Sequence, residues 1–166
     1  MDFFETVARR KSVRHYRPDP VSREWIEKIV DAGRQAPSGN NVQPWEFVVV
    51  QDQEMRTKLS GICSAGKFIK EAPVCIVVFC RNTKYYLEDG SAAVENMLLA
   101  ATALGLGSCW VAGDKKPYAR QIAQLLNVPV THKLVALISV GFEDGNRSVP
   151  RKPKRPLNEV LHWEKF

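Results

Sequence analysis

Arg10, Lys11, Ser12 and Arg14 place three cations and a hydroxyl within five residues near the start of the chain. Guanidinium forks and ammonium groups so closely spaced suit one phosphate, because each charge-assisted contact contributes roughly 1.5–3 kcal/mol. A solvated basic turn has the same composition. A second chemical segment is Ala36-Pro37-Ser38-Gly39-Asn40-Asn41-Val42-Gln43-Pro44-Trp45, which opens into the apolar run Phe47–Val50. Pro37 drives Ala36 toward extended geometry. Gly39 tolerates positive φ, and Asn40 or Asn41 does so at modest cost. Asn41 and Gln43 each carry a donor and an acceptor, the pattern that pairs with ring carbonyls and imides. A plain helix-to-strand turn would also use these residues.

Basic residues cluster at both ends of the chain. Arg9, Arg10, Lys11, Arg14 and Arg17 form one group, and Arg147, Arg151, Lys152, Lys154 and Arg155 the other, within a formal net charge of +6. Two such clusters suit either a polynucleotide backbone or, folded together, one small phosphate. Neither interleaved aromatics nor a nucleic-acid motif accompanies them, so a nucleic-acid partner is not expected.

Other chemistries lack their residues. Cys63, Cys75, Cys80 and Cys109 have no C-x-x-C spacing and sit mostly in apolar runs, as reduced buried thiols do. His15, His132 and His162 are far apart, so neither a metal cluster nor a nucleophile–histidine set assembles. Gly105-Leu106-Gly107-Ser108-Cys109-Trp110 has two glycines of a dinucleotide fingerprint, but Trp110 replaces the third and the segment precedes a strand. No Walker A sequence, paired carboxylates, signal-peptide pattern or membrane-length apolar run is found. A cytoplasmic chain is expected, and if it is an enzyme, a cofactor carries the chemistry.

The elements that must position these residues follow from periodicity. With 166 residues, a single domain spanning 1–166 is expected. Asp2–Arg10 reads as a short helix with Phe3, Phe4, Val7 and Ala8 on one side, and Ser22 caps a second helix that Gly33 and Pro37 stop. Strands are expected at Phe47–Val50, Val74–Cys80, Ser108–Ala112 and Leu134–Gly141, and helices at Gln53–Gly61, Ser91–Leu104 and Pro117–Leu126. Val74–Cys80 is continuously apolar and reads as a central strand covered on both faces. The alanine-rich Ser91–Leu104 helix suits either a core or a subunit interface. From Glu143 the chain is basic and Pro-rich, then studded with Leu157, Val160, Leu161, Trp163 and Phe166, which must dock on this domain or on a partner.

Four segments together resemble the FMN-dependent nitroreductase family: Arg9–Arg14, Ala36–Trp45, Gly105–Trp110 and Arg155–Trp163. They follow the family's order and span nearly the whole chain. The resemblance implies an α+β fold, with a mixed, largely antiparallel sheet sandwiched between helices, built as an intertwined homodimer whose C-terminal arm, about 147–166, wraps the partner subunit. It implies FMN as cofactor and NADH or NADPH as electron donor. Arg10, Lys11, Ser12 and Arg14 would hold the phosphate and ribityl end, completed by Lys154 and Arg155. Pro37, Ser38, Gly39, Asn41 and Gln43 would come to the flavin ring from the other subunit. Ala112 and Gly113 would offer backbone N–H groups to the ring, and no side chain would act as catalytic acid or base. The implied activity passes two electrons alternately to a small-molecule acceptor such as a nitroaromatic or quinone. Related chemistries include dehalogenation, peptide-ring oxidation and flavin fragmentation. A non-enzymatic FMN carrier would need the same cofactor contacts. The chain is short for the family, with 23 residues between Val50 and Val74, so any lid must be small.

Overall fold

The structure, a computed structural model, describes residues 1–166. Helices α1 (Phe3–Arg9) and α2 (Arg23–Arg34) precede strand β1 (Trp45–Val50). Then follow α3 (Gln53–Ile62), β2 (Val74–Arg81), α4 (Tyr86–Ala103), β3 (Gly107–Ala112), α5 (Ala119–Leu125) and β4 (His132–Gly141). The strands form one sheet in the order β1-β2-β4-β3, and all three ladders are antiparallel. The parallel contribution to this α+β fold is a single bridge between Ser12 and Ser108.

β2 shows why the sheet must have two covered faces. Side chains alternate across a strand. Val74, Ile76, Val78 and Cys80 pack with Ile29, Val94 and Met97 beneath α2 and α4. Cys75, Val77 and Phe79 face the other way, onto Leu59, Ile69 and Ile122 beneath α3 and α5. Seven consecutive residues are thus buried, which accounts for the unbroken apolar run. Ala93 and Ala101 of α4 lie in the core, so part of the alanine pattern serves packing against the sheet.

Several boundaries differ from expectation. α4 starts at Tyr86, five residues before Ser91, and its N-cap Tyr85 makes no side-chain capping bond. Glu88 and Asp89 in its first turn complement the helix dipole instead. α2 runs through Gly33 to Arg34 rather than stopping there. α5 starts at Ala119, after Pro117 and Tyr118. α1 is capped by the Asp2 carboxylate, which accepts from the Glu5 N–H at 2.8 Å. Its apolar side, however, faces outward: Thr6 is buried, whereas Phe3 and Phe4 are 65% and 81% exposed and pack edge-to-face on each other. α1 meets the domain along α4, and the phenylalanines lie away from that contact.

Candidate functional site

The N-terminal basic segment is pinned along the sheet before it offers its charges. The Val13 N–H donates to the Ser108 carbonyl at 2.9 Å. Tyr16 is buried and its hydroxyl lies 2.6 Å from the Val13 carbonyl and 2.7 Å from Ser139 Oγ. Burial pushes that hydroxyl far above its ordinary pKa, so it remains a neutral anchor. Val13 and Tyr16 point inward, while Ser12 and Arg14 are exposed.

The C-terminal arm returns to this segment. The Arg147 guanidinium reaches Asp144 at 2.8 Å and Glu71 at 3.1 Å. Lys11 Nζ lies 2.8 Å from both Ser148 Oγ and Glu143 Oε1, and Arg151 donates to the Ala8 carbonyl. The result is a cavity of about 430 Å³ lined by Arg10, Lys11, Ser12, Arg14, Val149, Pro150, Arg151, Lys152 and Lys154. The two basic clusters therefore meet around one space.

The cations there are not equivalent. Lys11 is neutralised by Glu143, and Arg10 lies 3.7 Å from Glu95. Arg14, Lys152 and Lys154 have no carboxylate within ion-pair distance. Arg155 does not line the cavity; it pairs with Glu159 at 3.3 Å and donates to its carbonyl at 2.8 Å. Arg151 and Lys152 line the space in its place. Sequence showed them as part of the cluster, but nothing in the spacing distinguished them from Arg155. A dianionic phosphate ester fits this donor set, which is rich in cations and holds no acidic side chain.

The second segment is held separately. Ser38 accepts the Gln43 N–H at 2.9 Å through its hydroxyl, and Arg81 donates to the Val42 carbonyl at 2.9 Å. Asn40, Asn41 and Gln43 have φ of 52°, 54° and 49°. The left-handed positions are thus the amide residues and not Gly39. Gly39 serves close packing instead: a Cβ there would stand 2.7 Å from the Tyr85 ring, which would have to shift to admit it. Gln43 Nε2 donates to Asn41 Oδ1 at 3.1 Å, so the Gln43 side-chain Oε1 and the Asn41 Nδ2 remain uncommitted within the chain. None of Pro37, Ser38, Gly39, Asn41 and Gln43 lines the basic cavity of the same chain.

Asp89, buried in the first turn of α4, accepts the Gly39 N–H at 2.9 Å. Sequence gave no signal for this role, since Asp89 lies 50 residues from its partner. Asp89→Ala would leave that N–H without its acceptor, at a cost of about 1–3 kcal/mol. A melting temperature lower by about 2–12 °C is expected for a chain of this size. Limited proteolysis should show cleavage moving into residues 38–43.

The third part is the end of β3, an edge strand. The Gly113 N–H donates to the Val135 carbonyl at 3.0 Å. It is therefore committed to the sheet, contrary to the expectation that it stands ready for a ring. Antiparallel ladders alternate, so Ala112, one residue earlier, turns its N–H away from β4 to the open edge. The Tyr118 hydroxyl donates to the Ala112 carbonyl at 2.6 Å and fixes that peptide. A Cβ on Gly113 would stand 2.5 Å from Leu134 Cγ and 3.1 Å from the Ala136 nitrogen. Gly113→Ala should thus destabilise the fold by about 1–3 kcal/mol through overpacking, measurable as a lowered denaturation midpoint.

The histidines stay apart. His15 Nδ1 lies 3.7 Å from Glu71, and no group of three metal-ligating side chains exists in the chain.

The family model for the nitroreductase family matches residues 7–73 and 64–142, which together cover most of the chain. The chain belongs to the nitroreductase family. Among similar proteins is one from Archaeoglobus fulgidus, provisionally named an NADH dehydrogenase/NAD(P)H nitroreductase. It is 35% identical over 95% of this chain and 94% of its own length. An FMN-dependent nitroreductase from Clostridium difficile superposes with a TM-score of 0.90 at 30% identity, covering 98% of this chain and 99% of its own. An iodotyrosine deiodinase, solved with FMN and 3-iodo-L-tyrosine, gives a TM-score of 0.86 at 25% identity over 99% of this chain and 100% of its own. This nitroreductase-family chain therefore has relatives with more than one activity. No helix is long and apolar enough to cross a membrane.

Proposed function

We propose that the protein is an FMN-dependent oxidoreductase that passes two electrons from NADH or NADPH to a nitroaromatic, a quinone or a similar acceptor. The observation that carries this reading is the meeting of both basic clusters around one carboxylate-free cavity. Arg10, Lys11, Ser12, Arg14 and Lys154 would bind the FMN phosphate there, joined by Arg151 and Lys152. FMN, when bound, supplies hydride exchange between the dinucleotide and the acceptor. The Ala112 N–H, at the open edge of β3, would stabilise negative charge on the reduced ring as a preorganised donor. Gly113 would shape the strand end.

Two copies of the chain would complete the site. Pro37, Ser38, Gly39, Asn41 and Gln43 of one subunit would cover the ring held by the other, and the arm from about 147 to 166 would wrap its partner. Phe3 and Phe4 on α1 and Leu157, Leu161 and Trp163 on the arm are exposed in the single chain and would be buried by such a pairing.

The test is anaerobic. NADH or NADPH should bleach the flavin absorbance of the purified protein, and a nitroaromatic or quinone should restore it. With donor and acceptor using one place in turn, steady-state double-reciprocal plots should be parallel. Intersecting lines would demand a ternary complex. A protein that carries FMN but is not bleached by either nucleotide would be a flavin carrier. Including 3-iodo-L-tyrosine among the acceptors tests whether dehalogenation extends to this chain.

A further inference from the structure

A second, larger cavity of about 580 Å³ lies between α5, the start of β4 and the turn after Gly113. Its charged lining is Lys115, Lys116, Arg120 and Lys133 against one carboxylate, Asp114. That carboxylate is already engaged: Tyr86 donates its hydroxyl to Asp114 Oδ1 at 2.6 Å, a bond that pushes the tyrosine pKa up to about 12. Lys115 reaches Asp114 only at 4.0 Å, and Lys116, Arg120 and Lys133 have no acidic partner at all. Apolar groups, Ala119, Ala123, Val128 and Leu134 among them, line the same space. Lys115 holds a φ of 55°, a conformation that costs a non-glycine residue energy and collects at functional turns.

We infer that this cavity binds an organic phosphate, with the phosphate among Lys116, Arg120 and Lys133 and an apolar or planar body against the α5 side. Unpaired cations in this number favour a multiply charged group over a single carboxylate. The cavity shares no residue with the basic cavity of the N-terminal segment and the C-terminal arm. Asp114, on the lining of this cavity, directly follows Ala112 and Gly113 in the chain. As a docking place for the phosphates of a dinucleotide donor the cavity rests on the proposed oxidoreductase reading. A phosphorylated acceptor has the same chemistry.

Calorimetric titration of the dimer or monomer as purified, with saturating FMN added to fill the other phosphate site, distinguishes these. The probes are 2′,5′-ADP and phenyl phosphate, with adenosine as the uncharged control. Both phosphates should bind saturably, and adenosine about tenfold or more weakly. Arg120→Gln with Lys133→Gln should weaken both phosphates about tenfold or more, whereas Arg14→Gln should leave them unchanged. Lys116→Gln, at an exposed position, replaces the double variant if that variant fails to fold. Much tighter binding of 2′,5′-ADP than of phenyl phosphate assigns the cavity to a dinucleotide; similar binding assigns it to a phosphorylated acceptor. Absence of saturable phosphate binding, or binding that the cavity variants leave intact, overturns the inference. FMN binding, read in the same samples by quenching of flavin fluorescence, tests the earlier reading by itself. A protein that binds FMN and no phosphate probe loses this inference alone; one that does not bind FMN, yet binds the probes in a way weakened by Arg120→Gln with Lys133→Gln and not by Arg14→Gln, loses the oxidoreductase reading and keeps organic-phosphate binding at this cavity.

Discussion

Replacing Arg14 and Lys154 together by Ala is expected to weaken FMN binding by about 2–4 kcal/mol, or about 30- to 1000-fold in Kd. These two cations line the basic cavity without a carboxylate to satisfy them, so their charge is free for a phosphate. Lys11→Ala should cost far less, under about tenfold, because Glu143 already holds that ammonium at 2.8 Å. Flavin-fluorescence titration of the apoprotein measures the three constants. Thermal melts give an independent reading. FMN at about 100 times the wild-type Kd should stabilise the wild type by about 2.7 kcal/mol, or about 5–10 °C. A hundredfold weaker variant at the same FMN concentration should gain only about 0.4 kcal/mol. An equal loss for Lys11→Ala would show that the ion pair does not rank these residues.

Deleting the chain from Leu157 onward should abolish the proposed dimer and most FMN binding with it. Every residue from Gly145 to Phe166 is exposed on the single chain, and Trp163 is 79% exposed. Burying a large apolar side chain contributes roughly 1.5–3 kcal/mol. Leu157 and Trp163, 71% and 79% exposed, gain little of this on their own domain, so they have it to give to a partner. The domain core contains none of them, and the truncated chain should therefore keep its fold by circular dichroism. Light scattering coupled to gel filtration, with flavin content measured in each peak, separates the outcomes. A truncated dimer that retains FMN would refute the wrapped-arm arrangement.

How much of this was legible in the sequence varied by element. β2 was plain, because a strand covered on both faces needs apolar residues at every position, and Val74–Cys80 has them. The cavity was legible in part: two basic clusters pointed to one phosphate, but the ion pair that neutralises Lys11 with Glu143 and the one that Arg155 makes with Glu159 away from the cavity are not displayed by sequence. The start of α4 was missed because Tyr85 provides no capping side chain. The outward turn of Phe3 and Phe4 was hidden because periodicity marks an apolar face without saying what covers it. Gly39 and Gly113 looked like conformational hinges or free donors. Their actual constraints are the Tyr85 ring and the Leu134 side chain, both remote in sequence. The resemblance implied what composition could not, a single flavin site built from these pieces, and that arrangement stands as the proposal above.

The sheet's β3 edge has a consequence for handling the protein. The first half of that edge is covered, because the Val13 N–H bonds to the Ser108 carbonyl and the basic segment meets the strand there in a single parallel bridge. The second half keeps the outward-facing N–H groups of Trp110 and Ala112 and an exposed tryptophan, while the Ala112 carbonyl is taken by Tyr118. An unsealed edge is a template for pairing with another chain. Under the proposed function, the flavin stands where a further strand would otherwise add. Cofactor supply during expression would then bear on solubility as well as on activity: chains made faster than they are loaded would carry a sticky sheet margin, and flavin would act for them as an edge guard.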